Sequence, residues 1–160
     1  MRFSSFFAHG KETWGLIKNE GVVVVDKVLA SGFPTLKSAI EAGKLDEIGT
    51  TLMQKKIDLP LEQANYLPVI TNPDKILCVG LNYHDHRLEG GHSEVGHPTI
   101  FVRFANAQVG HNKAMISPAE SNTLDFEAEL AVIIGKAGRR IKEADALAHI
   151  AGYSCYNDGS

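Results

Sequence analysis

The chain has 160 residues, 44% of them hydrophobic and 22% charged, with a formal net charge of −3. That length allows one ordinary domain or one and a half small ones, and the composition is that of a globular rather than a disordered protein. The slight negative charge gives no footing for nucleic acid or an anionic membrane surface as partner, and no apolar run approaches the ~20 residues needed to span a bilayer.

Residues 1–7 lack the long apolar core and small-residue cleavage site of a signal peptide. Residues 2–8 and 13–18 read as two strands joined by His9-Gly10-Lys11-Glu12, and residues 22–25 as a third strand after Asn19-Glu20-Gly21. A short helix over 35–42 opens at Pro34-Thr35 and stops at Gly43, and a second runs over 45–53. Residues 55–73 carry Pro60, Pro68 and Pro73, which suits an extended connector with one edge strand. A boundary falls near Thr71-Asn72-Pro73-Asp74.

Beyond it the character changes. Residues 75–80 form a buried strand ending in glycine, and the stretch to Pro98 is rich in His, Gly and Glu. Strands follow at 99–104, 115–117 and 124–134. A helix over 142–150 has Glu143 and Asp145 in its first turn, where the helix dipole favours acids. The basic cluster Lys136, Arg139, Arg140 and Lys142 surrounds a glycine-containing turn and reads as a solvated loop. A last strand begins at Gly152, and the chain stops at Ser160 with no polar tail. An unprotected sheet edge there leads us to expect the front part of a longer protein. Cys78 and Cys155 sit in apolar strand contexts and are expected to be reduced core residues, which fits a cytoplasmic protein.

The densest chemical signal lies in Leu124-Asp125-Phe126-Glu127-Ala128-Glu129-Leu130. Successive side chains on a strand point to opposite faces, so Asp125, Glu127 and Glu129 share a face with Phe126, Ala128 and Leu130 behind it. Acids are depleted from strands and like charges on one face repel, a cost that a cation removes. Glu127 and Glu129 lie roughly 7 Å apart along the backbone, within reach of one ion. Asp158, in Tyr156-Asn157-Asp158-Gly159-Ser160, could complete the set. An oxygen-only donor set suits Mg²⁺, Mn²⁺ or Ca²⁺ and argues against zinc. The alternative is that the acidic face is simply the wet side of a two-faced sheet.

A second constellation, Asn82-Tyr83-His84-Asp85-His86-Arg87-Leu88-Glu89-Gly90-Gly91, follows the buried strand. If it forms a helical turn closed by Gly90, His86 and Glu89 are i and i+3 neighbours. A carboxylate beside an imidazole fixes its tautomer and raises its basicity, which is how a general base is made. The flanking glycines, with Gly96 further on, suit a loop that orders over a ligand. A flexible polar loop, crowded by His84, His86, His92 and His97, is the competing reading. His84 and His86 have no nearby cysteine or spaced third histidine to make a zinc site.

Taken in order, three segments resemble the fumarylacetoacetate hydrolase family. They are Lys75-Ile76-Leu77-Cys78-Val79-Gly80-Leu81-Asn82-Tyr83 with His86 after it, Asp125 through Lys136, and Ala151 through Ser160. The resemblance spans residues 75–160. It implies an α+β, β-rich fold, in which residues 71–160 form the first part of a mixed β-sandwich roll and residues 1–70 a small β/α N-terminal region. It further implies that Glu127, Glu129 and Asp158 bind Mg²⁺ or Mn²⁺, and that His86 and Glu89 form a dyad that activates water or moves a proton. Members continue past the Asn157-Asp158-Gly159-Ser160 segment into a half that completes the roll and carries a substrate-contacting lysine. Where relatives have a lysine-proline-serine segment, this chain has Phe101-Val102-Arg103-Phe104, so Arg103 is the candidate substrate clamp.

Substrates of the family are mostly 2-oxo or 2,4-dioxo acids. The resemblance therefore implies a hydrolase that cleaves a carbon–carbon bond in an acylpyruvate-type acid through a metal-stabilised enolate. An isomerase or decarboxylase of a hydroxymuconate-like diacid in aromatic catabolism is the alternative, and an inactive fragment or non-enzymatic metal-binding protein a third. Family precedent also implies a homodimer.

Overall fold

A computed structural model describes residues 1–93 and 96–160. The fold is mixed α+β and rich in sheet. Of the glycine-flanked loop expected to reach Gly96, residues 94 and 95 lie outside the described residues.

The N-terminal part builds a five-stranded antiparallel sheet. Strands β1 (Arg2–Ala8), β2 (Lys11–Ile17) and β3 (Gly21–Val24) are joined by edge strands β4 (Leu59–Pro60) and β5 (Asn65–Tyr66), in the order β4-β3-β2-β1-β5. The link between β1 and β2 is shorter than its sequence suggested. Lys11 and Glu12 enter β2 opposite Ala8 and Phe7, leaving His9 and Gly10 as a two-residue turn. Both have positive φ, 52° and 77°, the backbone that a tight hairpin with twisted strands requires. At Gly15 a Cβ would stand 2.0 Å from the Val23 carbonyl oxygen, so β2 and β3 pair only with glycine there.

Helices α1 (Lys27–Gly32), α2 (Leu36–Glu41) and α3 (Leu45–Met53) follow β3. The first has no counterpart among the sequence-based expectations. It is opened by Asp26, whose carboxylate accepts the Leu29 N–H at 2.9 Å. The second starts on a capping box in which Thr35 and Ser38 hydrogen-bond reciprocally at 3.1 Å. Trp14, Leu16, Val23 and Val25 meet Leu36, Ala39, Ile48 and Leu52 of α2 and α3 in the main core, and Phe6, Ala8 and Val22 form a smaller cluster. The Trp14 indole N–H, taken out of water, donates to the Phe33 carbonyl at 2.8 Å.

By its internal contacts the chain divides into two compact units, residues 1–70 with 109–160, and residues 71–108. The second unit holds the antiparallel hairpin of β6 (Ile76–Gly80) and β7 (Thr99–Arg103), with the short helix α4 (His84–Glu89) between them. In the first unit, β8 (Ala128–Ile134) pairs antiparallel with β9 (Ile150–Asn157), and the one-turn helix α5 (Glu143–Ala146) lies between.

Several expectations are corrected here. Residues 115–117 are not a strand; Pro118 follows immediately and removes a donor that a ladder needs. The helix over 142–150 shrinks to α5 plus a 3₁₀ turn at Leu147–His149. The amides of Gly135 and Lys136 both bond to the His149 carbonyl, at 2.8 and 3.2 Å, and draw the chain into β9. Neither cysteine is a core residue: Cys78 is half-buried, Cys155 is exposed, and neither is in a disulfide. Cys155 stands on the outward side of β9, because the apolar face of this hairpin is the one turned to solvent. Among the described residues no helix is long and apolar enough to cross a membrane.

Candidate metal hairpin and histidine helix

The β8–β9 register decides which acids can meet. Ala128 pairs with Asn157 and Glu129 with Tyr156. Backbone bonding continues past the assigned strand ends: the Asp158 N–H donates to the Glu127 carbonyl at 2.9 Å, and Asp125 and Ser160 exchange both bonds, at 2.8 and 3.2 Å. Glu127 therefore stands across from Asp158. Directly opposed residues in an antiparallel pair project to the same face, with Cα atoms on the order of 5.5 Å apart at a hydrogen-bonded rung. Glu129, two residues along, shares that face.

The burial alternation bears on what this face is. Asp158 is only 7% exposed, and Glu127 and Glu129 are half-buried, while Ala128, Leu130, Val132 and Ile134 face outward. A merely solvated acidic face would show the reverse. Buried carboxylates need a hydrogen-bonding or cationic partner. The donor set is all oxygen, the kind of ligand that a hard dication takes. The side chains are not drawn into a ready cage: among the described residues no group of three or more His, Cys, Asp or Glu is gathered closely enough to hold an ion. Glu127 instead accepts through Oε1 from the Ser160 hydroxyl, and its own N–H donates to the Asn157 Oδ1 at 2.9 Å. The Asp125 carboxylate accepts the Phe126 N–H at 2.8 Å.

The second unit carries the other candidates. The α4 helix starts after Tyr83 and closes at Gly90, whose N–H bonds to the His86 carbonyl at 3.2 Å. His86 and Glu89 are thus one turn apart, both exposed. Arg87, between them in sequence, is half-buried and places Nη2 3.1 Å from His84 Nδ1. A cleft of about 490 Å³ is lined by Asn82, Arg87, His92 and His97, among others. Arg103 ends β7 opposite Ile76, with its guanidinium carbon 5.8 Å from the Phe101 ring centroid. Asn157 and Ser160, which touch Glu127, were given no role from sequence. The signal available was their position either side of Asp158, with amide and hydroxyl able to bond a strand that ends in acids.

Comparison with known proteins places this architecture in a class of β-rich α+β domains. Residues 75–160 match the fumarylacetoacetate (FAA) hydrolase C-terminal family. That is just over half of the chain, and the chain belongs to the fumarylacetoacetate hydrolase family. Bovine mitochondrial oxaloacetate tautomerase FAHD2A is 39% identical over 152 residues, 91% of this chain and 48% of the relative. A probable 2-hydroxyhepta-2,4-diene-1,7-dioate isomerase from Mycobacterium abscessus superposes with TM-score 0.73 at 27% identity, covering 100% of this chain and 52% of its own. Maleylpyruvate hydrolase from Sphingobium sp. SYK-6, solved with manganese(II) and pyruvate, has the same fold at TM-score 0.78, with 23% identity, 99% of this chain and 58% of its own. The chain spans about half the length of the curated relatives it matches. Hydrolase, tautomerase and isomerase names all occur among these relatives.

Proposed function

We propose that the protein containing this chain is a divalent-metal-dependent enzyme that moves a proton between the keto and enol forms of a 2-oxo diacid. The observation that carries this reading is the β8–β9 register, which sets Glu127 across from a buried Asp158 and Glu129 on the same face. Glu127, Glu129 and Asp158 are the ligands, for Mg²⁺ or Mn²⁺. When bound, such an ion polarises a 2-oxo group and stabilises the negative charge that develops on its oxygen, a contribution of several kcal/mol to the barrier. His86 is the base that removes the proton beside the carbonyl and returns it to the other site, and Glu89 holds the imidazole in the tautomer that does so. Arg103 and its positive charge suit the second carboxylate of a diacid. The 39% identity to an oxaloacetate tautomerase over 91% of the chain favours proton transfer as the whole reaction.

A second reading keeps the same ligands and dyad and adds water. In it His86 activates water for attack on the distal carbonyl of a 2,4-dioxo acid, and a carbon–carbon bond breaks. The match to the fumarylacetoacetate hydrolase C-terminal family favours it. The two cysteines, neither of them in a disulfide, fit a reducing compartment such as the cytoplasm.

Turnover of enol-form 2-oxo diacids by the protein, followed by ultraviolet absorbance and by product mass, tests the reading. Proton transfer leaves mass unchanged, hydrolysis releases two acids, and decarboxylation releases carbon dioxide. Glu127→Gln is expected to lose Mn²⁺ binding. His86→Ala is expected to keep Mn²⁺ and lose about 10²–10⁴-fold in rate. Equal loss of Mn²⁺ in both variants refutes this division of roles.

A further inference from the structure

The rung that carries Glu127 and Asp158 is built differently from its neighbour. At a hydrogen-bonded rung of an antiparallel ladder the two residues exchange two N–H···O bonds. Asp125 and Ser160 do so. At Glu127 and Asp158 the backbone supplies one of the two, from the Asp158 N–H to the Glu127 carbonyl. The Glu127 N–H goes instead to the side-chain oxygen of Asn157, at 2.9 Å. An amide side chain has entered the ladder at the rung bearing two of the three acids.

That amide is itself held. Its Nδ2 donates to the Met115 sulfur at 3.1 Å. Met115 also fills the space beside Gly159, where a Cβ would stand 2.2 Å from the methionine methyl and 3.0 Å from the Asp125 carbonyl oxygen. Glycine at 159 thus lets Met115 lie close to the strand end and support Asn157. The Glu127 carboxylate is gripped independently, through the Ser160 hydroxyl on Oε1. Backbone and carboxylate of one glutamate are therefore fixed by two side chains that are not themselves acids. Ligating carboxylates are commonly oriented by such outer hydrogen bonds, and losing one lowers metal affinity by about 10–100-fold.

We propose that Asn157 is a positioning residue for Glu127, setting the strand end so that the Glu127 carboxylate can meet a dication, with Ser160 orienting that carboxylate. The proposal rests on the metal reading above. An amide that only capped the strand would affect folding and leave ion affinity alone, so affinity is the discriminating quantity.

The 160-residue chain is titrated with Mn²⁺, free ion being read by electron paramagnetic resonance, while circular dichroism monitors the fold. Asn157→Ala is expected to raise the Mn²⁺ Kd about 10-fold or more with an unchanged spectrum. Asn157→Asp keeps an oxygen for the Glu127 N–H and is expected to bind no more weakly than wild type. Loss of Mn²⁺ in Glu127→Gln with wild-type affinity in Asn157→Ala overturns the positioning role and leaves the metal reading standing. A wild-type chain that binds no Mn²⁺, or a Glu127→Gln chain that binds it normally, overturns both. Should Asn157→Ala not fold, Asn157→Thr replaces it: threonine suits a strand, and its hydroxyl is one atom too short to reach. Wild-type Kd in that variant counts against the proposal in the same way.

Discussion

Asp26 holds the start of α1 in two ways. Its carboxylate accepts the Leu29 N–H, and it pairs with the Lys55 ammonium at 2.5 Å. The Leu29 bond, then the Lys55 bond, hold its carboxyl below the ordinary value of 3.8. A group whose pKa is lower in the folded state stabilises the fold above its unfolded pKa, and that stabilisation is lost as pH falls through the folded value. Asp26→Ala is expected to lower stability at pH 7 by about 1 kcal/mol, the usual worth of an N-cap. The gap to wild type in urea titrations closes as the buffer is taken below pH 3.8. A gap that persists there shows a contribution not linked to charge. Asp26→Asn retains the cap acceptor and gives up only an exposed ion pair, so its cost falls within about 0–1 kcal/mol. None of this was read from sequence. The six residues of α1 are too few to show a periodic apolar stripe, and Val28 points to solvent. Thr35, by contrast, was legible as a helix start because Pro34 and Gly43 punctuate α2 on both sides.

The β8–β9 hairpin shows what alternation in a sequence does and does not carry. A period of two says that Glu127 and Glu129 share a face and that Leu130, Val132 and Ile134 share the other. It has no sign, so it does not say which face is covered. Here the apolar face is outward, with Leu130 59% and Ile134 64% exposed and Tyr153 beside them on β9. Nor does it fix where pairing stops: the expected strand over 124–134 is assigned only from Ala128, although backbone bonds run on to Asp125. Asp158 was legible as a third acid that could complete the set, but its place across from Glu127 was not, since register depends on a connection of fifteen residues between Ile134 and Ile150 that no turn motif defines. The outward face leads to a measurement. The chain is expected to enhance the fluorescence of a hydrophobic dye, and Leu130→Thr with Val132→Thr to reduce it. Stability changes by no more than about 0.5 kcal/mol per site, because the side chains are already wet and threonine suits a strand. Dye binding that is absent in wild type, or unchanged in the double variant, locates the accessible apolar surface elsewhere.

At the scale of the molecule, burial is unevenly spread. Among the described residues every buried hydrophobic side chain lies between Phe6 and Leu52. Among the described residues of 71–157 none is buried, although β6 pairs with β7 and β8 with β9 along their lengths. Hydrogen bonds in a two-stranded ribbon contribute little net stability when water can replace them. Local opening should therefore be cheap in the hairpins and near the global limit in β1, β2 and β3. Amide hydrogen exchange is expected to be slowest in those three strands and much faster in β6 and β7. Leu52→Ala removes a fully buried side chain from the main core, at a cost of about 2–5 kcal/mol. Because residues 71–108 form a unit of their own, that substitution should accelerate exchange in β1–β3 and leave β6 and β7 as they were. Equal acceleration in both units shows that they unfold together. Slow exchange in β8 and β9 that fades on dilution shows their apolar faces covered by association in solution. In that case the outward face measures what this chain buries against a partner, and the N-terminal core alone does not set its stability.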